Sequence, residues 1–100
     1  MGRYTLVDVV ERAEKFSTFS IPPLEERATL APGDYAKLVF DDAERMWVKV
    51  TRVNDDGSYR GVLDNDPVIV ELKPGAKVTF SPQHVCAILR GPTDDLEVIP

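Results

Sequence analysis

Residues 45–63 read RMWVKVTRVNDDGSYRGVL, and this stretch decides the fold. Apolar and polar side chains alternate on both sides of Asn54-Asp55-Asp56-Gly57, which is the period-two pattern of strands. The Asp-Gly pair supplies the positive φ angles that a primed or bulged hairpin turn requires. The stretch therefore predicts two antiparallel strands, over Arg45–Val53 and Ser58–Leu63.

Further strands are predicted on both sides of this hairpin. Asp34–Phe40 and Ala76–Phe80 alternate in the same way, and Val85–Leu89 follows a 3₁₀-like turn at residues 81–84. Val68–Leu72 is consistent with a short strand or a projecting arm. The predicted fold class is α+β and mostly β: a small, strongly bent antiparallel sheet, or an SH3-like barrel, of five or six strands with an N-terminal helix.

The N-terminal segment Thr5–Phe16 predicts an amphipathic helix, with Thr5 as its cap and Asp8 in its first turn. Its apolar stripe consists of Leu6, Val7, Val10 and Ala13. Because about three turns of helix are marginal alone, this stripe must pack on something. The expected partner is the outer sheet face, with Tyr35, Val39, Trp47 and Val53.

The chain length of 100 residues predicts one domain with one modest core. Residues 1–33 form the N-terminal helix and connector arm, residues 34–90 the β-barrel-like core, and residues 91–100 an acidic C-terminal tail. The net charge is −5, whereas residues 34–90 are nearly neutral. Within that core most acids fall in turns and several bases fall in strands.

Cysteine usage and hydropathy predict a cytoplasmic protein without a membrane partner. No apolar run approaches the ~20 residues of a membrane span, and charge interrupts the N-terminus too early for a signal peptide. Cys86 is the only cysteine, and its neighbours Val85, Ala87 and Ile88 are apolar. These features predict a buried thiol that behaves as a small hydrophobe.

The sequence favours a non-catalytic role, and it predicts neither a metal nor a cofactor. One His and one Cys cannot close a structural zinc site, and Asp64-Asn65-Asp66 lacks the later ligands of a calcium loop. No catalytic residue is assigned. The alternative is a small enzyme that uses His84 with a carboxylate.

Several motifs resemble a bacterial family of uncharacterised proteins, domain of unknown function 2314. They include Phe19-Ser20-Ile21-Pro22, Ala31-Pro32-Gly33-Asp34, Met46-Trp47-Val48, Gly61–Pro67 and Leu72-Lys73-Pro74-Gly75. The resemblance covers roughly residues 19–88 and leaves the N-terminal helix outside. It implies a shared domain, and it implies no activity, ligand or catalytic residue.

An aromatic and basic strand surface is the candidate binding site, formed by Trp47, Lys49, Tyr35 and Lys37. The preferred hypothesis is an interaction module for a protein or peptide partner, with Trp47 either a ligand platform or a packed side chain. The alternative is a nucleic-acid module that uses Lys37, Lys49 and Arg52. The acidic balance argues against nucleic acid, and that alternative requires the three bases to converge on one exposed face. The oligomeric state is left open.

Overall fold

The computed structural model describes residues 4–16 and 20–91; the predicted acidic tail, residues 91–100, lies outside this range except for residue 91. Two short helices precede five strands, and a 3₁₀ helix, Pro82–His84, lies before the last strand. The elements are α1 (Val9–Lys15), α2 (Leu24–Arg27), β1 (Tyr35–Phe40), β2 (Glu44–Val53), β3 (Tyr59–Leu63), β4 (Lys77–Phe80) and β5 (Ala87–Leu89).

The strands form one antiparallel sheet in the order β4-β3-β2-β1-β5. The β1–β2 turn places Asp41 and Asp42 at positive φ, a conformation that Asp tolerates better than most residues. The predicted Asn54–Gly57 turn joins β2 to β3, and Gly57 supplies its positive φ. This architecture confirms the predicted α+β, mostly β class, and of the predicted five or six strands the described residues form five.

One face of the sheet carries the hydrophobic core. Alternate strand residues point inward, and Tyr59, Phe40, Phe80, Leu38 and Met46 are the largest of the fully or almost fully buried side chains. The residues between them point to the opposite side, which we call the outer face. Period-two alternation therefore divides every strand into a core half and an outer half.

The connector before β1 is held by buried polar contacts. The Tyr59 hydroxyl donates to the Arg27 carbonyl at 2.8 Å and accepts from the Leu30 N–H at 3.2 Å. Arg27 itself is buried, and its guanidinium donates to the carbonyls of Pro22 and Pro82. Backbone carbonyls thus accept hydrogen bonds from the buried guanidinium, and the bond to Pro82 connects the segment before β1 to the 3₁₀ helix.

The predicted start of the N-terminal helix is wrong. Residues 5–7 are extended alongside the end of β1, because Val7 N–H donates to Val39 and Leu6 forms a bridge with Phe40. The helix begins only after Asp8, whose carboxylate accepts the N–H groups of Val10 and Glu11. Asp8 is therefore the cap, and Leu6 and Val7 belong to an edge segment instead of the helical stripe.

The predicted docking of this helix on the outer face is also not what the structure shows. Val53, predicted on that face, lies on the core side by register, because it pairs with Tyr59 after the bulge in β2. Helix α1 packs against the 3₁₀ helix, and its one fully buried side chain is Val9. The extended segment before it reaches the core with Tyr4, whose ring packs edge-on against Phe40. Residues 4–9 thus complete the core side of the sheet.

Gly61 lies where β3 comes closest to β2. A Cβ atom at this position would lie 2.5 Å from the Lys49 carbonyl oxygen and 2.6 Å from Val48 Cγ1. Opposite it, Thr51 is the extra residue of a bulge, because Val50 pairs with Gly61 and Arg52 with Arg60. The crowding neighbours are the Lys49 carbonyl and the Val48 side chain, both on β2.

Replacing Gly61 with Ala or Val tests this close approach. Either side chain must displace β2, so we expect a loss of unfolding free energy of about 1–3 kcal/mol, more for Val than for Ala. Urea denaturation measures the loss. Val62→Ala, at the adjacent half-buried position on the outer face, serves as the control and should cost less. An unchanged denaturation midpoint in both Gly61 variants would contradict the contact.

Candidate functional site

The four predicted binding residues lie together on the outer face. Tyr35 on β1 pairs directly with Lys49 on β2, and Lys37 pairs directly with Trp47. Directly opposite residues point to the same side of an antiparallel sheet, with Cβ atoms about 4.5–5.5 Å apart. The structure therefore brings all four side chains into one patch, which we call the aromatic patch.

The Trp47 ring is half-buried, and Lys37 covers it. The Lys37 ammonium lies 5.3 Å from the ring centroid, within the range of a cation–π interaction. The Trp47 backbone is fixed as well, because its N–H donates to the Asn65 side chain and its carbonyl accepts from Asp64 N–H. Trp47 is thus held in one orientation by its neighbours on both sides.

The outer face is basic across the strands. Every Lys and Arg within the five strands lies on it by register: Lys37, Arg45, Lys49, Arg52, Arg60 and Lys77. Lys37, Lys49 and Arg52 do share this face, as the nucleic-acid alternative requires. Arg45, Arg60 and Lys77 were missed as site residues, although period-two alternation could have placed them.

Glu44 is the only acidic residue within these strands, and its carboxylate binds backbone N–H groups of a loop. Its carboxylate accepts the N–H groups of Val68, Ile69 and Val70, each within 3.0 Å. These hydrogen bonds hold the pKa of Glu44 below its usual value. The segment predicted as a strand or arm, Val68–Leu72, is therefore a loop bound to the start of β2.

His84 has a structural environment. Its Nδ1 accepts the Ser81 N–H at 3.0 Å, which closes a capping box in the 3₁₀ helix. Half-burial lowers the pKa of His84, and the charge of Asp8 partly opposes this shift. The Asp8 carboxylate is itself the cap of α1. His84 and Asp8, the candidate His–carboxylate pair, thus both accept hydrogen bonds from backbone N–H groups.

Cys86 lies between the 3₁₀ helix and β5 and is half-buried. Burial raises the pKa of its thiol, although the charges of Arg45 and Lys37 oppose this effect. At neutral pH the group is mainly a thiol, whereas nucleophilic attack requires a thiolate. The surroundings of Cys86 therefore disfavour nucleophilic attack by its sulfur.

An open cleft of about 580 Å³ beside α1 is lined by residues that include Asp8, Arg12, Phe16 and Asp42. It contains neither His84 nor the aromatic patch. Among residues 4–16 and 20–91, no group of three or more His, Cys, Asp or Glu side chains is placed to hold a metal ion.

Neither α1 nor α2 has the length and apolar character that a membrane crossing requires. Comparison with protein-family models, with curated proteins and with solved structures finds no match.

The His84 environment predicts a pH-dependent stability. Because the pKa of His84 is lower in the folded chain than its ordinary value of 6.5, the unfolded chain binds the proton more readily. Its stabilising contribution is present above that ordinary value and is lost as pH falls through the folded pKa. The free energy of unfolding, measured with urea, should fall between about pH 7 and pH 5 in the wild-type protein, and it should fall less in His84→Gln. An equal dependence of the unfolding free energy on pH in both proteins would contradict the lowered pKa of His84.

The Cys86 environment predicts slow alkylation. The raised pKa and half-burial should make iodoacetamide labelling of the native protein slower than labelling of the urea-unfolded protein by about tenfold or more. The unfolded chain is the internal control, because the same thiol is measured in both states. Native labelling as fast as unfolded labelling would show an accessible, activated thiolate.

Proposed function

We propose that this protein is a non-catalytic binding module for a protein or peptide partner, and that the outer face is its binding surface. The observation that supports this is the convergence of Tyr35, Lys37, Trp47 and Lys49 on one side of the sheet. Rigid aromatic side chains provide contact area at low entropic cost, and flanking bases give orientation. A sheet places such residues more firmly than a loop would.

The charge of the outer face favours an acidic partner. The basic side chains of the strands lie on it, whereas the one strand carboxylate, Glu44, binds the 68–70 loop. Complementary charge accelerates association and selects among partners. An extended acidic segment that places apolar side chains against Tyr35 and Trp47 matches this surface.

Nucleic acid is the second candidate, because Lys37, Lys49 and Arg52 share the outer face. The net charge of −5 favours a protein partner over it, because this charge repels a long polyanion. Enzymatic use of His84 is less consistent with the structure, because its Nδ1 is bonded to the Ser81 N–H.

We also propose that the sheet is an SH3-like barrel in a cytoplasmic bacterial protein. The hydrogen bond from Thr79 N–H to the Tyr4 hydroxyl supports the first point, because it connects the N-terminal segment beside β1 to the outer edge of β4. The lone cysteine is consistent with a reducing compartment. The motif resemblance to domain of unknown function 2314 supports membership in that family.

Selection from a displayed library of acidic peptides tests the binding function. We expect wild-type protein to retain such peptides, and Trp47→Ala or Lys49→Glu to weaken binding by about tenfold or more, since central interface residues cost at least ~1.4 kcal/mol each. Lys15→Glu on α1 is the matched charge control and should bind normally. Added salt should weaken wild-type binding.

Two results would contradict the proposal. One is selected peptides that bind Trp47→Ala and Lys49→Glu as tightly as wild type. The other is preferential binding of single-stranded oligonucleotides that displace the peptides, which would favour the nucleic-acid candidate. Circular dichroism of each variant establishes that it is folded.

A further inference from the structure

Two arginines face each other at one end of the outer face. Arg52 on β2 and Arg60 on β3 are direct cross-strand partners, and both side chains are exposed. Like charges in directly opposite positions destabilise a sheet. Within the described residues neither guanidinium has an ion pair or hydrogen-bond partner. A bound anion would relieve this repulsion.

The bulge at Thr51 creates this juxtaposition. Strict alternation along β2 would place Lys49 and Thr51 outward and Val50 and Arg52 inward. The extra residue shifts the register after Val50, so that Arg52 lies opposite Arg60 on the outer face. The Thr51 hydroxyl then donates to the Arg60 carbonyl at 3.0 Å, which fixes the shifted register. Bulges commonly redirect side chains next to functional sites.

The neighbouring positions strengthen the positive potential. In the adjacent row of the sheet, Lys49 on β2 and Lys77 on β4 flank Val62 on β3. The nearby β2–β3 turn contains two exposed acids, Asp55 and Asp56, and the Asp56 carboxylate accepts both the hydroxyl and the N–H of Ser58. The arginine pair therefore has basic neighbours within the sheet, and the Asp56 carboxylate is bonded within its own turn.

We propose that Arg52 and Arg60 form a phosphoryl-binding site, and that the partner peptide of the outer face carries a phosphorylated side chain. The peptide context rests on the function proposed above. A phosphate monoester carries a charge of about −1.5 to −2 at neutral pH, which two guanidiniums match. Guanidinium groups bind phosphate oxygens in bidentate geometry, which lysines cannot reproduce. A nucleic-acid diester carries only one charge per phosphate.

Three peptide libraries with random flanks and a fixed central residue test the site. The central residue is phosphoserine in the first, glutamate in the second and serine in the third. Wild-type protein should retain the phosphoserine library about tenfold or more over the serine library, the ratio for one charge-assisted hydrogen bond. Arg52→Gln and Arg60→Gln should each abolish this preference. Arg52→Lys should restore it only in part, because an ammonium is a point charge.

Stability measurements distinguish binding from a structural role. Removing one of two repelling charges should leave the unfolding midpoint of Arg52→Gln unchanged or raise it. A lowered midpoint would show that the arginines stabilise the sheet, and would overturn the proposal. Lys15→Gln on α1 is the control for loss of one positive charge, and it should keep the phosphoserine preference.

The remaining outcomes separate this inference from the proposed function. If acidic peptides bind through Trp47 and Lys49 and phosphoserine adds nothing, the phosphoryl site is wrong and the binding function stands. If glutamate serves as well as phosphoserine, the site recognises carboxylates and the phosphoryl assignment is wrong. If a single-stranded oligonucleotide displaces the phosphopeptides and binds more tightly, the ligand is nucleic acid and the inference is overturned.

Discussion

The apolar inner face of the sheet is the constraint on which the rest of the structure depends. Leu38, Phe40, Val48, Val50 and Phe80 are almost completely buried, and each comes from every second position of a strand. A charged side chain at any of these positions would lose its hydration without a partner. The bases of the strands therefore lie on the other side, and Glu44, which pairs with Phe40, has its carboxylate satisfied by the N–H groups of residues 68–70. Folding thus places the basic side chains of the strands on the outer face. The charge of that face is positive because these side chains are Lys and Arg.

The contact between β2 and β3 determines how that outer face is arranged. Gly61 allows the strands to approach, and the bulge opposite it changes which side of β2 faces outward. Without the bulge, residues 52 and 53 would exchange faces, so that Val53 would leave the core side and Arg52 would enter it. The bulge thus lets β2, which is ten residues long, present apolar side chains to the core side both before and after Thr51. Packing and surface chemistry depend on the same local irregularity.

Much of the sheet could be predicted from the sequence because its signals are local. Alternation and the Asp-Gly turn locate the β2–β3 hairpin, and cross-strand neighbours follow once two strands are aligned. The same reasoning placed Tyr35, Lys37, Trp47 and Lys49 on one face. Errors arose where long-range contacts decide the structure. Residues 5–7 have helical spacing, yet hydrogen bonds to the end of β1, far away in sequence, make them extended.

Two further features had no local signal. Glu44 begins a strand, and nothing near it in sequence shows that it binds the N–H groups of residues 68–70. Arg27 reads as an exposed helical cation, but the carbonyls of Pro22 and Pro82 make its burial possible. Both depend on groups that only tertiary structure brings together. The bulge at Thr51 is a comparable case, because the register after it is defined by Arg60 on another strand.

The acidic residues explain why a chain of net charge −5 can present a basic surface. Several carboxylates accept backbone N–H groups at turns and caps: Asp8, Asp34, Asp41, Glu44 and Asp56. Hydrogen bonds hold the pKa values of Glu44 and Asp56 low, and in Asp34 they outweigh the opposing effect of partial burial. Their negative charge is thereby used within the fold. Lys and Arg cannot accept a hydrogen bond from an N–H group, so the strand bases do not take part in these turns and caps. Arg52 and Arg60, which have no ion pair among the described residues, are the charges that the proposed phosphoryl group would neutralise.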